Sequence, residues 1–282
     1  ILEYNDTMYI GAHVSIAGGF DKCIERASKM GSNCLMTFAS SPRSLKYQAP
    51  SDKVIENYKK EKTKYEMGPH FFHAPYLVNL ASDDKSYVNA SRDLLISYQQ
   101  LAGDIGGAGT IFHVGSHKGS GFETKITQIV TTINYILDSS PRGTRLILEN
   151  AAGQAGTIGA TLTELREIID RVGDKPKIGV CLDTQHAWAS GIPLDKLLDM
   201  FIHEVGIKYL AAIHFNDSKT EFDSHVDRHE NLGQGKIGKD ILRKFAQNCD
   251  AKVKNCPLIL EVPGDGDGPR KKDIDYLKKI VV

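Results

Sequence analysis

The sequence predicts an α/β fold, a single (β/α)8 TIM barrel occupying residues 1–282, and three observations carry that expectation. Short apolar runs alternate with helical patterns eight times without a break. The runs are apolar on both faces, as strands of a parallel sheet covered by helices must be. The length of 282 residues suits one such barrel, and no Pro/Ser-rich linker or low-complexity tract divides it. A doubly wound sheet alternates in the same way, but eight uninterrupted units favour closure.

The first unit pairs MYIGAHVS (8–15) with the helical pattern FDKCIERASKMG (20–31). The second pairs NCLMTFA (33–39) with SDKVIENYKKEKTKYEMG (51–68), across the polar loop SSPRSLKYQAP (40–50). Both helices end near a glycine, Gly31 and Gly68, as a left-handed C-cap requires. HFFHAPY (70–76) and the helix over 85–106 form the third unit; GTIFHVGSH (109–117) and the helix over 121–140 form the fourth. RLILENA (145–151) leads to a fifth helix over 161–173, which opens with Thr161 and Glu164 as a capping box. IGVCLDTQHA (178–187) with the helix over 193–206 is the sixth. KYLAAIHFND (208–217), a long polar loop and the helix over 236–249 make the seventh; PLILEVPG (257–264) and the helix over 270–282 make the eighth.

Composition narrows the setting but not the partner. Lys plus Arg and Asp plus Glu are both 35, so no net basic charge marks a nucleic-acid binder. The five cysteines, Cys23, Cys34, Cys181, Cys249 and Cys256, form no CxxC and lie mostly in apolar runs, which points to reduced thiols. No apolar run approaches the roughly 18 to 20 residues of a membrane span, so no membrane partner is expected. The N-terminus shows no basic-then-apolar signal pattern. An intracellular protein is the expectation, although the chain opens at Ile1 rather than Met, and any address ahead of it is invisible.

In such barrels the reacting groups gather at the C-terminal ends of the strands and in the loops that follow. Those positions here are His73, His113, Glu149, Asp183, His186, His214 and Glu261, to which the seventh loop adds Asp227 and His229 as an Asp-x-His pair. Any one of them alone reads most simply as a hydrogen-bonded rim residue, and the loop pair as solvated surface. Together they do not. Both LILE runs, 146–149 and 258–261, end an apolar strand in a carboxylate, which costs several kcal/mol to bury without a cation or donor. Imidazole and carboxylate are the ligands that zinc or manganese accepts. With one carboxylate bridging, the set suits about three ions, each needing some three protein ligands. Three dications among four carboxylates leave the rim locally positive, suited to polarising a phosphate diester, so phosphoryl hydrolysis is the chemistry implied.

GAHVSIAGG (11–19), HAPYLVNLAS (73–82), FHVGSH (112–117), LENAAGQ (148–154), GVCLDTQHAWASG (179–191), HFNDSK (214–219), VDRHENLGQGKIG (226–238) and LILE (258–261) follow a known pattern in order and spacing. In them the chain resembles the endonuclease IV family of apurinic/apyrimidinic endonucleases, trinuclear-zinc TIM barrels of base excision repair. The resemblance implies three zinc ions per chain, with manganese as an alternative at the third. It assigns His73, His113 and Glu149 to one zinc; Glu149 as bridge, with Asp183, His214 and Glu261, to a second; and His186, Asp227 and His229 to the third. Glu149 is then the catalytic carboxylate, bridging the two ions that hold the attacking hydroxide, and no separate side-chain base is required. The implied substrate is double-stranded DNA containing abasic sites, cut 5′ to the lesion to leave a 3′-hydroxyl and a 5′-deoxyribose phosphate, with 3′-end cleaning besides.

The family enters the minor groove with side chains from the loops after its second and third strands, and Arg43 and Tyr76 fall there. The same loop departs from the pattern at Ser41, Ser44 and Leu45, and Val262 stands where the usual residue is Thr. Asn216, Lys219, Arg228 and Lys236 are further phosphate-contact candidates, and Arg270, Lys271 and Lys272 read as a solvated helix start. His13 is placed to support the site, His203 to lie on a helix surface, and His225 outside the ligand set. A monomer acting wherever the genome resides, cytoplasm or nucleus, completes the expectation. Two other readings compete: a metal-dependent sugar isomerase or epimerase, which needs one or two ions, and a catalytically idle DNA-binding barrel.

Overall fold

The computed structural model describes residues 8–281; residues 1–7 of the expected domain and Val282 of the expected last helix lie outside them. Eight strands close into an all-parallel barrel: β1 (Ile10–His13), β2 (Cys34–Thr37), β3 (His70–His73), β4 (Gly109–Phe112), β5 (Arg145–Glu149), β6 (Ile178–Asp183), β7 (Leu210–His214) and, pairing with β1, β10 (Leu258–Leu260). Between them run α1 (Cys23–Lys29), α2 (Asp52–Lys64), α3 (Lys85–Asp104), α4 (Phe122–Asp138), α5 (Leu162–Arg171), α6 (Thr184–Ala189), α7 (Leu194–Glu204) and α8 (Gly238–Val253), with α9 (Lys271–Val281) last. The large apolar core lies between this helical ring and the outer face of the sheet, where Leu146, Leu148, Val180 and Leu182 point.

Alternation along each strand decides what faces the barrel axis. Cys34, Met36, Phe71, Ile111, Ile147, Cys181, Ala212 and Ile259 form a separate apolar layer inside the barrel. Two residues beyond the last of these on each strand stand Phe38, His73, His113, Glu149, Asp183, His214 and Glu261. The rim, polar except for Phe38, is therefore the next inward layer, one pleat above an apolar plug. Burial pushes the Cys181 thiol in that plug up to about 12, so it stays protonated beneath the rim.

Three local details differ from the sequence expectation. The left-handed residue after α2 is Glu66 (φ 48), not Gly68. Gly68 serves close packing instead, since a Cβ there would lie 2.4 Å from the Tyr9 ring. The expected capping box at α5 is half formed: Thr161 Oγ1 accepts the Glu164 N–H at 3.2 Å, but the Glu164 carboxylate accepts from Gly159 N at 2.8 Å rather than from the cap residue. The sixth apolar run stops at Asp183, because that side chain caps a short helix, α6, beginning at the next residue. In the long loop after β7, β8 (Asp217–Ser218) and β9 (His229–Glu230) form a two-residue antiparallel ladder.

Candidate metal centre

All nine expected ligands meet at one place. The buried Glu149 divides its two oxygens between two groups. Oε2 faces His73 Nε2 at 3.0 Å and His113 Nε2 at 3.5 Å. Oε1 lies 2.8 Å from His214 Nδ1, which in turn is 2.9 Å from Glu261 Oε2 and 3.8 Å from Asp183 Oδ2. A third group forms around Asp227: His186 Nε2 is 3.4 Å from its Oδ2 and His229 Nε2 is 3.5 Å from its Oδ1. His229 Nε2 also lies 3.6 Å from Asp183 Oδ2.

These third-group separations exceed a good hydrogen bond. They match the roughly 3.3 Å expected between neighbouring ligand atoms on one tetrahedral zinc. The buried Nε2 atoms of His186 and His229 have no hydrogen-bond partner, a cost that a bound dication removes. Their other nitrogens are occupied as metal-binding imidazoles require: His186 Nδ1 donates to the Asn150 carbonyl at 2.9 Å and His229 Nδ1 to the Glu261 carbonyl at 3.2 Å. His73 Nδ1 likewise donates to the Ala74 carbonyl at 2.7 Å, turning Nε2 toward Glu149. The donor set fits divalent metal.

The electrostatics agree. Burial alone would raise the Glu149 carboxyl, but His113, His214 and His73 overcome it and hold the group well below the usual carboxylate range. Burial likewise opposes a charge on Glu261, and His214 and His13 outweigh it, lowering that carboxyl strongly. His186 resists desolvation through Asp183, Asp227 and Glu149 and is pushed up to about 10. Against burial, the carboxylates likewise raise His73 and His214, so the charge of this cluster is shared between buried acids and imidazoles.

Neighbouring residues fix these groups. His13 Nδ1 bonds Glu261 Oε1 at 2.8 Å, so it supports the site as expected. Asn150 holds Asp183 by its backbone, accepting Asp183 N at 2.6 Å and donating to Asp183 O at 3.1 Å. Asn216 corrects the sequence reading. It is buried, not a phosphate contact: its amide donates to Asp183 Oδ2 at 2.6 Å and accepts Glu261 N at 2.9 Å. Sequence reasoning passed over Asn150 altogether, although an Asn directly after a strand-end Glu was the available signal.

Tyr76 stands at the mouth, 65% exposed, its ring stacked 6.1 Å from that of His113. Arg43 is exposed on a turn, its N–H 3.4 Å from Ser41 Oγ. Ser40, Ser41 and Pro42 line a cavity of about 580 Å³ with Tyr76, His229 and Glu261. A second cavity, about 630 Å³, reaches from Tyr76, His113 and Asp227 to Lys118 and Arg228. Lys219 and Lys236 are tied to Glu230 and Glu221 at the loop surface. His225 pairs with Asp223 at 3.3 Å, outside the ligand groups, and His203 is exposed on α7. Lys271 is exposed and pairs with Asp275, whereas Arg270 is half-buried against the buried Asp273, so the start of α9 is not wholly solvated.

A model of the xylose isomerase-like TIM barrel family matches residues 24–280. A protein of Halothermothrix orenii named probable endonuclease 4 is 37% identical, over 96% of this chain and 98% of its own length. The crystal structure of endonuclease IV from Thermus thermophilus superposes with a TM-score of 0.83 at 27% identity, covering 97% of both chains. A D-tagatose 3-epimerase-like protein superposes at 0.70 with 18% identity, over 97% of this chain and 96% of that one, a likeness of fold alone. With that fold and that extent of identity, the chain belongs to the endonuclease IV family of xylose isomerase-like TIM barrels.

Proposed function

We propose that this protein is a zinc-dependent DNA repair endonuclease that hydrolyses the phosphodiester 5′ to an abasic site, with three metal ions per chain. The observation that carries the reading is the division of Glu149 between its two groups of partners, His73 and His113 on one oxygen and His214 on the other. That is the arrangement a carboxylate shared by two ions needs. Bound dications would supply a nucleophile near neutral pH and stabilise both the attacking and the leaving oxygen. His73, His113 and Glu149 would hold the first ion; Glu149, Asp183, His214 and Glu261 the second; His186, Asp227 and His229 the third. Zinc suits the imidazole-rich groups, and manganese is the alternative at the third.

The chain's own residues shape the rest. Asn216 and His13 keep Asp183 and Glu261 aimed inward, and the buried Glu149 keeps its charge among the imidazoles. On this reading Tyr76 and Arg43 fill the gap left by a missing base. The partner is duplex DNA with abasic sites, met by a monomer in the compartment of the genome. Among the described residues, no helix is long and apolar enough to cross a membrane.

Metal analysis beside a cleavage assay tests this. The purified protein should carry about three zinc ions and nick an abasic duplex without added magnesium, leaving a 3′-hydroxyl. One metal or fewer, with epimerisation of a ketose, would instead favour the sugar-epimerase reading, which has no use for a group built from His186, Asp227 and His229.

A further inference from the structure

We propose that Asp217 is the positioning residue for the loop that presents Asp227 and His229, and that it holds the third metal position in shape. The proposal rests on the three-metal reading above and adds to it a residue that touches neither metal nor DNA. Asp217 is fully buried, and its carboxylate is consumed by main-chain donors. Oδ1 accepts from Ser218 N at 2.8 Å, Ile237 N at 3.0 Å and Gly238 N at 3.4 Å. Oδ2 accepts from Gly233 N at 2.8 Å and Gly235 N at 3.0 Å. The turn Gly233–Gly238 is thereby folded around one side chain.

The turn is bolted to β8, since Lys236 N donates to Ser218 O at 2.6 Å. The other edge of β8 carries the ligand strand: Ser218 pairs with His229, and Lys219 N donates to Arg228 O at 2.9 Å. From below, Gln185 Nε2 donates to Val226 O at 3.0 Å, beside Asp227. Asp227 and His229 thus sit on a segment without helix or barrel strand of its own, held by β8, and β8 is held by Asp217. The close packing is specific: a Cβ at Gly235 would fall 2.3 Å from Ser218 O and 2.6 Å from Asp217 Oδ1. A carboxylate is required because both oxygens accept; an amide would set an NH2 against backbone N–H groups.

The test is Asp217→Asn, which keeps the shape, read by native mass spectrometry for metal and by amide hydrogen exchange. The expected result is selective. The metal held by His186, Asp227 and His229 should dissociate at least about tenfold more readily, while the two ions on Glu149 stay. Amides 233, 235, 237 and 238 should lose protection. Unchanged third-metal retention overturns the proposal, whether or not exchange rises, and so does an equal loss of all three ions. Should Asp217→Asn fail to fold, Gly235→Ala strains the same clamp with the carboxylate intact, and the same selective loss is expected. A parent that binds no third metal would sink the three-metal reading instead. The exchange arm still reports then whether Asp217 holds the loop.

Discussion

Asp183 and His186 are joined twice: both face the third ligand group, and Asp183 Oδ1 accepts the backbone N–H of His186 at 2.8 Å, capping α6. One expected ligand thereby sets the helix that carries the next. Asp183→Ser should preserve this cap, because a Ser oxygen accepts the same bond and sets no NH2 against the Asn216 amide, whereas Asp183→Ala should lose it. Both variants should bind less metal, but in chelator the Ala form should be less stable than the Ser form by about 1 kcal/mol. Denaturant titration of both metal-free proteins measures the difference, and identical midpoints would show that the cap holds nothing.

Glu149→Gln should be more damaging than His229→Asn, because on the three-metal reading Glu149 serves two ions, with a partner on each oxygen, and His229 serves only the third. Turnover on an abasic duplex should fall at least about 10³-fold for the first, the scale of losing a principal electrostatic element. Comparable residual rates in folded, metal-analysed samples would count against the bridge.

Arg43→Ala combined with Tyr76→Ala should leave fold and metal content intact and lower the preference for abasic over undamaged duplex. Extruding a nucleotide costs a few kcal/mol, least where the base is already missing, and side chains filling the gap recover part of it. Binding of parent and variant to both duplexes at one salt concentration decides. An unchanged affinity ratio would make both residues ordinary surface.

His70 should make the protein acid-sensitive. It is buried, with Nε2 2.9 Å from Thr37 Oγ1 and Nδ1 2.7 Å from Tyr58 OH, and burial holds it well below its ordinary value of 6.5. The unfolded chain gains a proton below pH 6.5 that the folded protein refuses, so this contribution is present above pH 6.5 and fades as pH falls. The slope from one such group is at most about 1.4 kcal/mol per pH unit. His70→Gln should be less stable at pH 8 yet show a flatter decline between pH 6.5 and 5 in urea titrations. Parallel declines would mean the ring protonates in place.

Much of this protein is legible in its sequence because two periodicities are local. Eight apolar runs buried on both faces specify a closed parallel sheet. Within each run, the residue two places beyond an axis-facing apolar one must also face the axis, which put His73, His113, Glu149, Asp183, His214 and Glu261 on one rim. His70 and His73 in the HFFH run show the same rule from the other side: three residues apart on a strand, they face opposite ways, one into the helical layer and one into the site.

What only the tertiary structure decided are the contacts between residues far apart in the chain. Nothing in HFNDSK distinguishes Asn216, which holds Asp183 and Glu261 from 33 and 45 residues away, from a surface Asn waiting for phosphate. Nothing in it reveals that Asp217 gathers the turn at Gly233–Gly238. The sequence carries the types and strand phase of the rim residues, since these depend on alternation over two residues. The supporting residues depend on which backbone donors and acceptors the closed barrel leaves buried, and that is settled only when β5, β6, β7 and the loop after β7 are packed side by side.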